Sequence, residues 1–239
     1  MELNAKNLEF RELNRQLRQG GSVFHITGCC GQRFIAAGMD GKTITIEGIP
    51  GNALGAYLNG ASIEVLANAQ DAVGDTMNDG QILIHGNIGD AAGYAMRGGR
   101  IYVKGSAGYR AGIHMKQYRD KVPVMIIGGV AGSFLGEYQA GGLILVLGMN
   151  RGGAPLVGEF PCTGMHGGKM LLRGDVTGIR FPRGVCPRPA GEADLAEILP
   201  ELERYCGLFG YDRNQVLDAP FTLITPDSGN PYRQMYAAN

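Results

Sequence analysis

The feature that most constrains this chain is a repeat of about 19 residues in its middle part. Strand-like apolar pairs begin at Ile44, Ile63, Ile82 and Ile101, and the interval between successive pairs is constant. A short and constant period predicts one small structural unit stacked on copies of itself. The chain is therefore expected to build a scaffold whose rungs share one continuous core.

Each unit contains two aliphatic residues separated by one residue, which is the alternation of a strand. Seven segments carry the pattern: Ile44–Ile46, Ile63–Val65, Ile82–Ile84, Ile101–Val103, Val124–Ile126, Leu143–Leu145 and Met170–Leu172. The first and third residues of all seven are expected to face the same side. A glycine two residues later predicts a turn with positive φ at five places: Gly48, Gly86, Gly105, Gly128 and Gly174.

A unit of this length is too short to hold a helix and a strand, but it suits one coil of a parallel β-helix. The step from Ile101 to Val124 is longer than the period by four, which predicts an insertion within Met115–Pro123. The step from Leu143 to Met170 is longer by eight, which predicts a second insertion within 149–164. The fold class predicted is all-β, with about eight coils between residues 22 and 185.

The segments on either side of the coils are suited to cover the open strand edges of a solenoid. Residues 7–18 have the period of an amphipathic helix that ends at Gly20. After the coils, Cys186–Gly191 predicts a rigid linker, followed by a helical stretch broken by Pro200 and an extended arm over 220–236. The three divisions predicted are a capping helix, the β-helix, and a helical cap with an arm, at 1–21, 22–185 and 186–239.

Charge and composition narrow the possible partners and location. Lysine plus arginine equals aspartate plus glutamate at 22 each, so the chain lacks the positive excess typical of nucleic-acid binding. No apolar run approaches the roughly 20 residues needed to cross a bilayer, and the first residues do not resemble a secretory signal. Five cysteines without a framework spacing favour reduced thiols. We therefore predict a cytoplasmic protein that binds neither nucleic acid nor membrane.

Residues that often carry chemistry are present, but their spacing favours structural roles. The adjacent Cys29 and Cys30 are expected on opposite faces of a strand, and no second cysteine pair follows. The remaining cysteines lie in unrelated contexts: Cys162, Cys186 and Cys206. Stacking is not expected to bring three of the histidines into one metal site: His85, His114 and His166. The irregular spacing of three aspartates argues against calcium-binding repeats: Asp71, Asp75 and Asp90.

The glycine strings do not form a nucleotide-binding loop, because such a loop occurs once, before a helix, whereas these strings recur in every coil. We accordingly predict no catalytic, cofactor-binding or metal-binding residue in this chain. Five basic residues near the two insertions form a solvated face or a docking surface for a partner: Arg110, Lys116, Arg119, Lys121 and Arg151.

The ladder over Ile82–Gly99 resembles the GXGXG domain at the C-terminal end of the glutamate synthase large chain. It is also similar to the GXGXG subunit of formylmethanofuran dehydrogenase and to its formyltransferase/hydrolase counterpart. The tail from Glu203 to Tyr232 resembles stand-alone versions of the glutamate synthase domain. The resemblance implies a right-handed β-helix that is an architectural, non-catalytic element.

In glutamate synthase the chemistry belongs to an amidotransferase with an N-terminal cysteine and to a barrel that holds FMN and an iron–sulfur cluster. This chain begins with Met1 and Glu2, so it is expected to lack that nucleophile, and FMN and iron–sulfur are expected on partner subunits. The hypothesis is a scaffold subunit that binds an amidotransferase subunit and an FMN/iron–sulfur subunit. Three alternatives remain: the GXGXG subunit of a formylmethanofuran-type complex, an N-methylglutamate synthase subunit, and a free-standing solenoid enzyme such as a hexapeptide acyltransferase.

Overall fold

The structure, a computed structural model, describes residues 1–227. One sheet of eleven strands contains β1 to β9 in sequence order, followed by β11 and then β10 at the edge. The parallel strands β2 to β9 form a solenoid of about eight coils, which confirms the predicted fold class. The strands are β1 (Glu2–Asn4), β2 (Val23–Cys30), β3 (Thr43–Ile49), β4 (Asn59–Val65), β5 (Asp79–Ile84), β6 (Arg100–Val103), β7 (Val124–Ile127), β8 (Ala140–Val146), β9 (Gly167–Arg173), β10 (Val185–Pro189) and β11 (Phe221–Pro226). The helices are α1 (Phe10–Gln19), α2 (Glu192–Phe209) and α3 (Arg213–Leu217).

Aliphatic ladders fill the interior of the solenoid. Ile44 pairs with Ile63, Ile63 with Ile82, and Ile82 with Ile101, and all four are 0% exposed. Complete burial of one such side chain is worth about 1.5–3 kcal/mol. The aliphatic side chains of each coil are covered by those of the coils before and after it. Each coil therefore depends on its neighbours for this stabilisation.

In β7 and β8 the residues that face the core are displaced by one position from those that were predicted to face it. Ile101 pairs with Met125 rather than Val124, and Met125 pairs with Ile144. The residues expected inside therefore lie on the outer face of the sheet: Val124, Ile126, Leu143 and Leu145. A shift of one residue exchanges the two faces of a strand, and an unbroken apolar run such as Val124–Ile127 carries no alternation that would reveal the phase.

The outer face of these strands is apolar because α2 packs on it. Tyr102 is 0% exposed and packs with Tyr205 of α2, with their ring centroids 6.0 Å apart. The hydroxyl of Tyr205 donates a hydrogen bond of 2.9 Å to the Val103 carbonyl. Residues in the strands or directly after them form a second core beneath α2: Leu83, Tyr102, Val124, Ile126, Leu145, Leu147 and Leu171.

The segments before and after the coils cover both ends of the solenoid, but part of their secondary structure differs from the prediction. At the first coil β1 adds a parallel strand, and α1 buries Leu13 and Leu17. The predicted proline linker forms strand β10, and part of the predicted arm forms β11, which pairs antiparallel with β9 and β10. The rest of the arm lies outside the described residues. The three proposed divisions of the chain stay predictions.

Pro200 does not break α2, contrary to the sequence-based prediction. The helix continues from Glu192 to Phe209, with Pro200 inside it. A proline removes the hydrogen bond to the carbonyl four residues earlier, here that of Ala196. Both residues are exposed, so water can reach that carbonyl.

In the coils of β2 to β8, one corner has positive φ at alternate residues. In the coil of Ala72 the values are 57° for Ala72, 67° for Gly74 and 52° for Thr76. The Gly74 amide donates to Leu54 of the preceding coil at 2.8 Å, and the Thr76 amide donates to Tyr94 of the next coil at 2.7 Å. The corner thus continues the hydrogen bonding between coils after the strand has ended.

The glycines that follow the strands serve two purposes. Gly48 and Gly174 have positive φ, as predicted, with values of 107° and 96°. Gly86, Gly105 and Gly128 lie outside that region, so the prediction is wrong for them. A Cβ at Gly105 would lie 2.6 Å from the Gly86 carbonyl oxygen, which is closer than real Cβ atoms approach. Close stacking of the coils requires glycine at this position.

We predict that Gly105→Ala lowers the free energy of unfolding by about 1–3 kcal/mol, because the added methyl group pushes neighbouring coils apart. Chemical denaturation measures the change. Gly178→Ala is the matched control, since a Cβ there meets nothing within 4 Å and its φ is not positive. Equal effects of the two substitutions would contradict the close approach of the coils.

Candidate docking surfaces

None of the five cysteines forms a disulfide. Cys29 is buried and Cys30 is exposed, as predicted for neighbours on opposite faces of a strand. Burial raises the pKa of the Cys29 thiol to about 11 and that of the Cys162 thiol to about 12, which keeps both in the unreactive protonated form. Cys186 is exposed on β10, and Cys206 is buried in α2.

The three histidines considered as metal ligands contact different groups. His85 Nε2 lies 2.8 Å from Glu64 Oε1, and its ring packs edge-on against Phe209. His114 stacks on Tyr138 with ring centroids 5.2 Å apart. His166 Nδ1 lies 3.0 Å from the Gly164 carbonyl oxygen. Within residues 1–227 no group of three or more histidine, cysteine, aspartate or glutamate side chains is arranged to hold a metal ion.

Two of the aspartates occupy equivalent positions in successive coils and bind the backbone. Asp71 Oδ1 accepts from the Asp90 amide at 2.9 Å, and Asp90 Oδ1 accepts from the Tyr109 amide at 2.8 Å. Asn68 and Asn87 make the same contact nearby, each to the amide 19 residues later. The irregular spacing inferred for these aspartates is therefore wrong for Asp71 and Asp90, which form part of a ladder between coils.

A charged groove of about 520 Å³ lies between α2 and the first insertion. Arg100 Nε and Nη2 donate to Glu201 of α2 at 3.0 and 2.7 Å, and the Tyr102 hydroxyl donates to the same carboxylate. Burial raises the pKa of Glu201, but the bonds from Arg100 and Tyr102 outweigh it, and the net shift is downward. On the opposite wall Lys121 pairs with Asp79 at 2.8 Å.

The five basic residues predicted as a docking face do not form one cluster. Lys121 lines the charged groove, and Arg119 lies over the Tyr118 ring. Arg151 lines a separate cavity of about 360 Å³ with Asp175 and Arg180, at the last coil. Arg110 lies at the positive-φ corner of its coil, and Lys116 lies two residues after His114 of the same corner. The prediction of a docking face stays a prediction, and its five residues are distributed over four places.

In the later coils the corner with positive φ carries large side chains, most of which are exposed. We call this surface the aromatic corner: Tyr94, Arg110, His114, Phe134, Tyr138 and Phe160. His114 packs between Tyr94 and Tyr138, and Phe134 stacks on Phe160 with centroids 5.3 Å apart. Arg110 lies over the Phe134 ring at 5.0 Å and 3.6 Å from the Glu137 carboxylate. The sequence pattern did not reveal this surface, although alignment of the units across both insertions brings most of these residues into two columns.

Positive φ is costly for these residues. Arg110, His114, Phe134, Tyr138 and Phe160 have φ between 54° and 62°. A side chain with a Cβ pays about 1–2 kcal/mol in this region. Ring stacking offsets part of that cost, at about 0.5–1.5 kcal/mol for each pair.

His25 is a residue that the sequence analysis did not consider. Its Nδ1 lies 3.0 Å from Glu2 Oε1, and its Nε2 lies 2.9 Å from Glu47 Oε1. These two contacts join β1, β2 and β3 at the first coil. The hydrogen bond to Glu2, with a smaller contribution from Glu47, raises the pKa of His25.

Together, the sheet topology and the filled interior define the class of protein: a parallel β-solenoid whose described surfaces offer grooves and an aromatic corner. The GXGXG motif family model matches residues 6–181 of the chain. The chain also shares 42% identity over 248 aligned residues with an uncharacterized protein of Methanocaldococcus jannaschii, across 98% of this chain and 95% of that protein. The chain belongs to the GXGXG motif family. None of the helices within residues 1–227 is long and apolar enough to cross a bilayer.

We predict that Glu201→Ala lowers the free energy of unfolding by about 1–3 kcal/mol, because Arg100 and Tyr102 lose their shared acceptor. The value stays below that of a fully buried pair, since the Arg100 side chain is 37% exposed. Glu203→Ala is the control on the same helix. Its pair with Arg213 is about half exposed and should contribute less than about 1 kcal/mol. Equal losses in chemical denaturation would contradict the role of Glu201.

We predict that His25 makes the protein more stable at mildly acidic pH than at mildly basic pH. A raised pKa in the folded state means that the contribution is full below the unfolded value of about 6.5 and is lost as pH rises through the folded value. Thermal melts of wild type and His25→Gln between pH 6 and pH 9 measure it. The advantage of the wild type should shrink as pH rises, and a constant difference would oppose the assignment.

Proposed function

We propose that this chain is a non-catalytic scaffold subunit of a glutamate-synthase-type oxidoreductase. It holds a glutamine amidotransferase subunit and an FMN/iron–sulfur subunit in register. In this role the chain contributes to glutamate biosynthesis and nitrogen metabolism in the cytoplasm. It binds no cofactor itself, because FMN and the iron–sulfur cluster belong to the partner subunits.

The observation that carries the proposal is the membership of the GXGXG motif family, whose match spans residues 6–181 and therefore nearly all coils. The hydrogen-bond partners of the polar side chains also support the proposal. The carboxylates of Asp71 and Asp90 bind backbone amides, and Glu201 binds Arg100 and Tyr102. Side chains with these partners hold coils and helix together, which suits a rigid spacer.

Rigidity is the property that a scaffold must supply, because catalytic subunits that exchange ammonia and electrons work only at a fixed separation. A solenoid provides it through repeated hydrogen bonds between coils about 4.8 Å apart. Eight coils at that spacing extend over roughly 35–40 Å, which is about the width of a small domain. The length of the solenoid thus suits an element that spans from one catalytic subunit to another.

The test is purification of the tagged chain from its native host. We expect amidotransferase and flavoprotein subunits in constant ratio with the chain, together with the absorption spectra of FMN and iron–sulfur. Glutamine-dependent glutamate formation should require the whole complex, and the chain alone should release no ammonia from glutamine. The matched control is the tagged partner subunit, which should recover the chain in the same ratio.

The cofactors of the recovered complex also distinguish the alternatives. Molybdopterin with an amidohydrolase-like subunit would identify the formylmethanofuran-type assembly in place of glutamate synthase. A flavin complex that acts on methylamine would identify N-methylglutamate synthase. Recovery of the chain as a lone monomer with no flavoprotein would refute the proposal, and stoichiometric bound zinc would favour a free-standing enzyme.

A further inference from the structure

The aromatic corner differs between early and late coils in a way that folding does not require. In its first column three early coils have Ala53, Ala72 and Ala91, whereas the later coils have Arg110, Phe134 and Phe160 at the same place. The backbone conformation is the same in both groups. Small residues therefore satisfy the fold here, and the large ones have replaced them in three neighbouring coils.

The first coil also has a large residue in this column, but there the chain itself supplies a partner. Phe34 packs on Phe10 of α1, with ring centroids 5.9 Å apart. The rings of the later coils contact one another, and no helix within residues 1–227 packs on them.

These large side chains are strained and remain in contact with water. Tyr138 and Phe160 are 37% and 57% exposed and have φ of 54° and 59°. Strained residues persist where the surroundings or a function compensate for them. Exposed aromatic residues with an arginine among them have the composition of the anchors of protein interfaces. Stacking of the rings also restricts their rotamers before a partner binds, which reduces the entropy lost on binding.

The border of the aromatic corner next to His114 is positively charged. Arg97 and Lys116 lie in successive coils, where the Lys116 amide bonds to the Met96 carbonyl. Both side chains are exposed, and within residues 1–227 neither has an ion-pair partner. Two carboxylates lie at the corner: Glu137 faces Arg110, and the exposed Glu159 directly precedes Phe160. The free cations at this border are complementary to acidic groups on a partner.

We infer that the aromatic corner is a docking surface for another protein, which covers the rings with an apolar patch and places carboxylates against Arg97 and Lys116. The inference deepens the proposed function and rests on it, because it assigns the surface through which the scaffold holds a partner subunit. A second copy of this chain is a poorer occupant. A two-fold interface presents the same surface on both sides, and it would place the unpaired cations of one copy near those of the other.

The experiment places the photoreactive residue p-benzoylphenylalanine at one position of the chain in its native host. Position 138 replaces the exposed Tyr138 of the aromatic corner. Position 57 is the matched control, because Tyr57 is 58% exposed, has φ of 57° and lies in the same column of an early coil. Cells are irradiated, and cross-linked peptides are identified by mass spectrometry.

We expect a cross-link at position 138 to one protein, within or beside a segment rich in aspartate and glutamate, and at least about tenfold less at position 57. Charge reversal by Arg97→Glu with Lys116→Glu should reduce the yield at 138, whereas Lys6→Glu at the first coil should not. The identity of the captured protein then tests the proposed function separately. An acidic segment of a protein without flavin or amidotransferase would support the docking surface and refute the glutamate-synthase assignment.

Several results would overturn the inference. These are equal cross-linking at 57 and 138, a cross-link only to a second copy of this chain, and a captured segment without acidic residues.

A second variant separates binding from folding. Tyr138→Gly and Phe160→Gly remove the rings and relieve the positive φ, so the melting temperature should be unchanged or higher. Recovery of the partner with the double variant should fall by about tenfold or more. A lower melting temperature with undiminished partner recovery would assign the rings to folding and contradict the docking surface.

Discussion

Parallel stacking of nearly identical coils is the constraint on which the rest of the molecule depends. It fixes the hydrogen-bond partner of each strand and places Ile63, Ile82 and Ile101 above one another. It also explains why glycine is needed where a strand ends, since Gly105 lies too close to the preceding coil for any side chain. A change in one coil alters the packing of the neighbouring coils, as expected for a repeat protein.

The same stacking divides the surface into faces with different uses. One outer face of the sheet is apolar and is covered by α2, with Tyr102 and Tyr205 in contact. The two ends are covered by α1 and by the β10–β11 pair. The aromatic corner is left exposed, and its first column changes from alanine in three early coils to Arg110, Phe134 and Phe160 in later ones. The interior is thus nearly constant along the stack, whereas the surface varies from coil to coil.

The constant period was sufficient to predict the solenoid, the number of coils and the places of both insertions. It was insufficient for the phase of β7 and β8. Their residues are apolar on both faces, because one face lines the core and the other lies under α2. The continuous helix through Pro200 depends on solvent access to a single carbonyl, which no local pattern records. The aromatic corner was missed because its residues align from coil to coil only when Met125, rather than Val124, is matched to Ile101.

Amide hydrogen exchange of the isolated chain tests the central claim that the coils form one self-supporting core. We expect the amides of β5, β6 and β7 to exchange together and more slowly than those of the first insertion, since they open only when the stack opens. Addition of the partner subunits that we propose should slow exchange at the corner around Phe134 and Tyr138 and leave the three strands unchanged. Rapid exchange of these strands in the isolated chain, with protection only in the complex, would contradict the account.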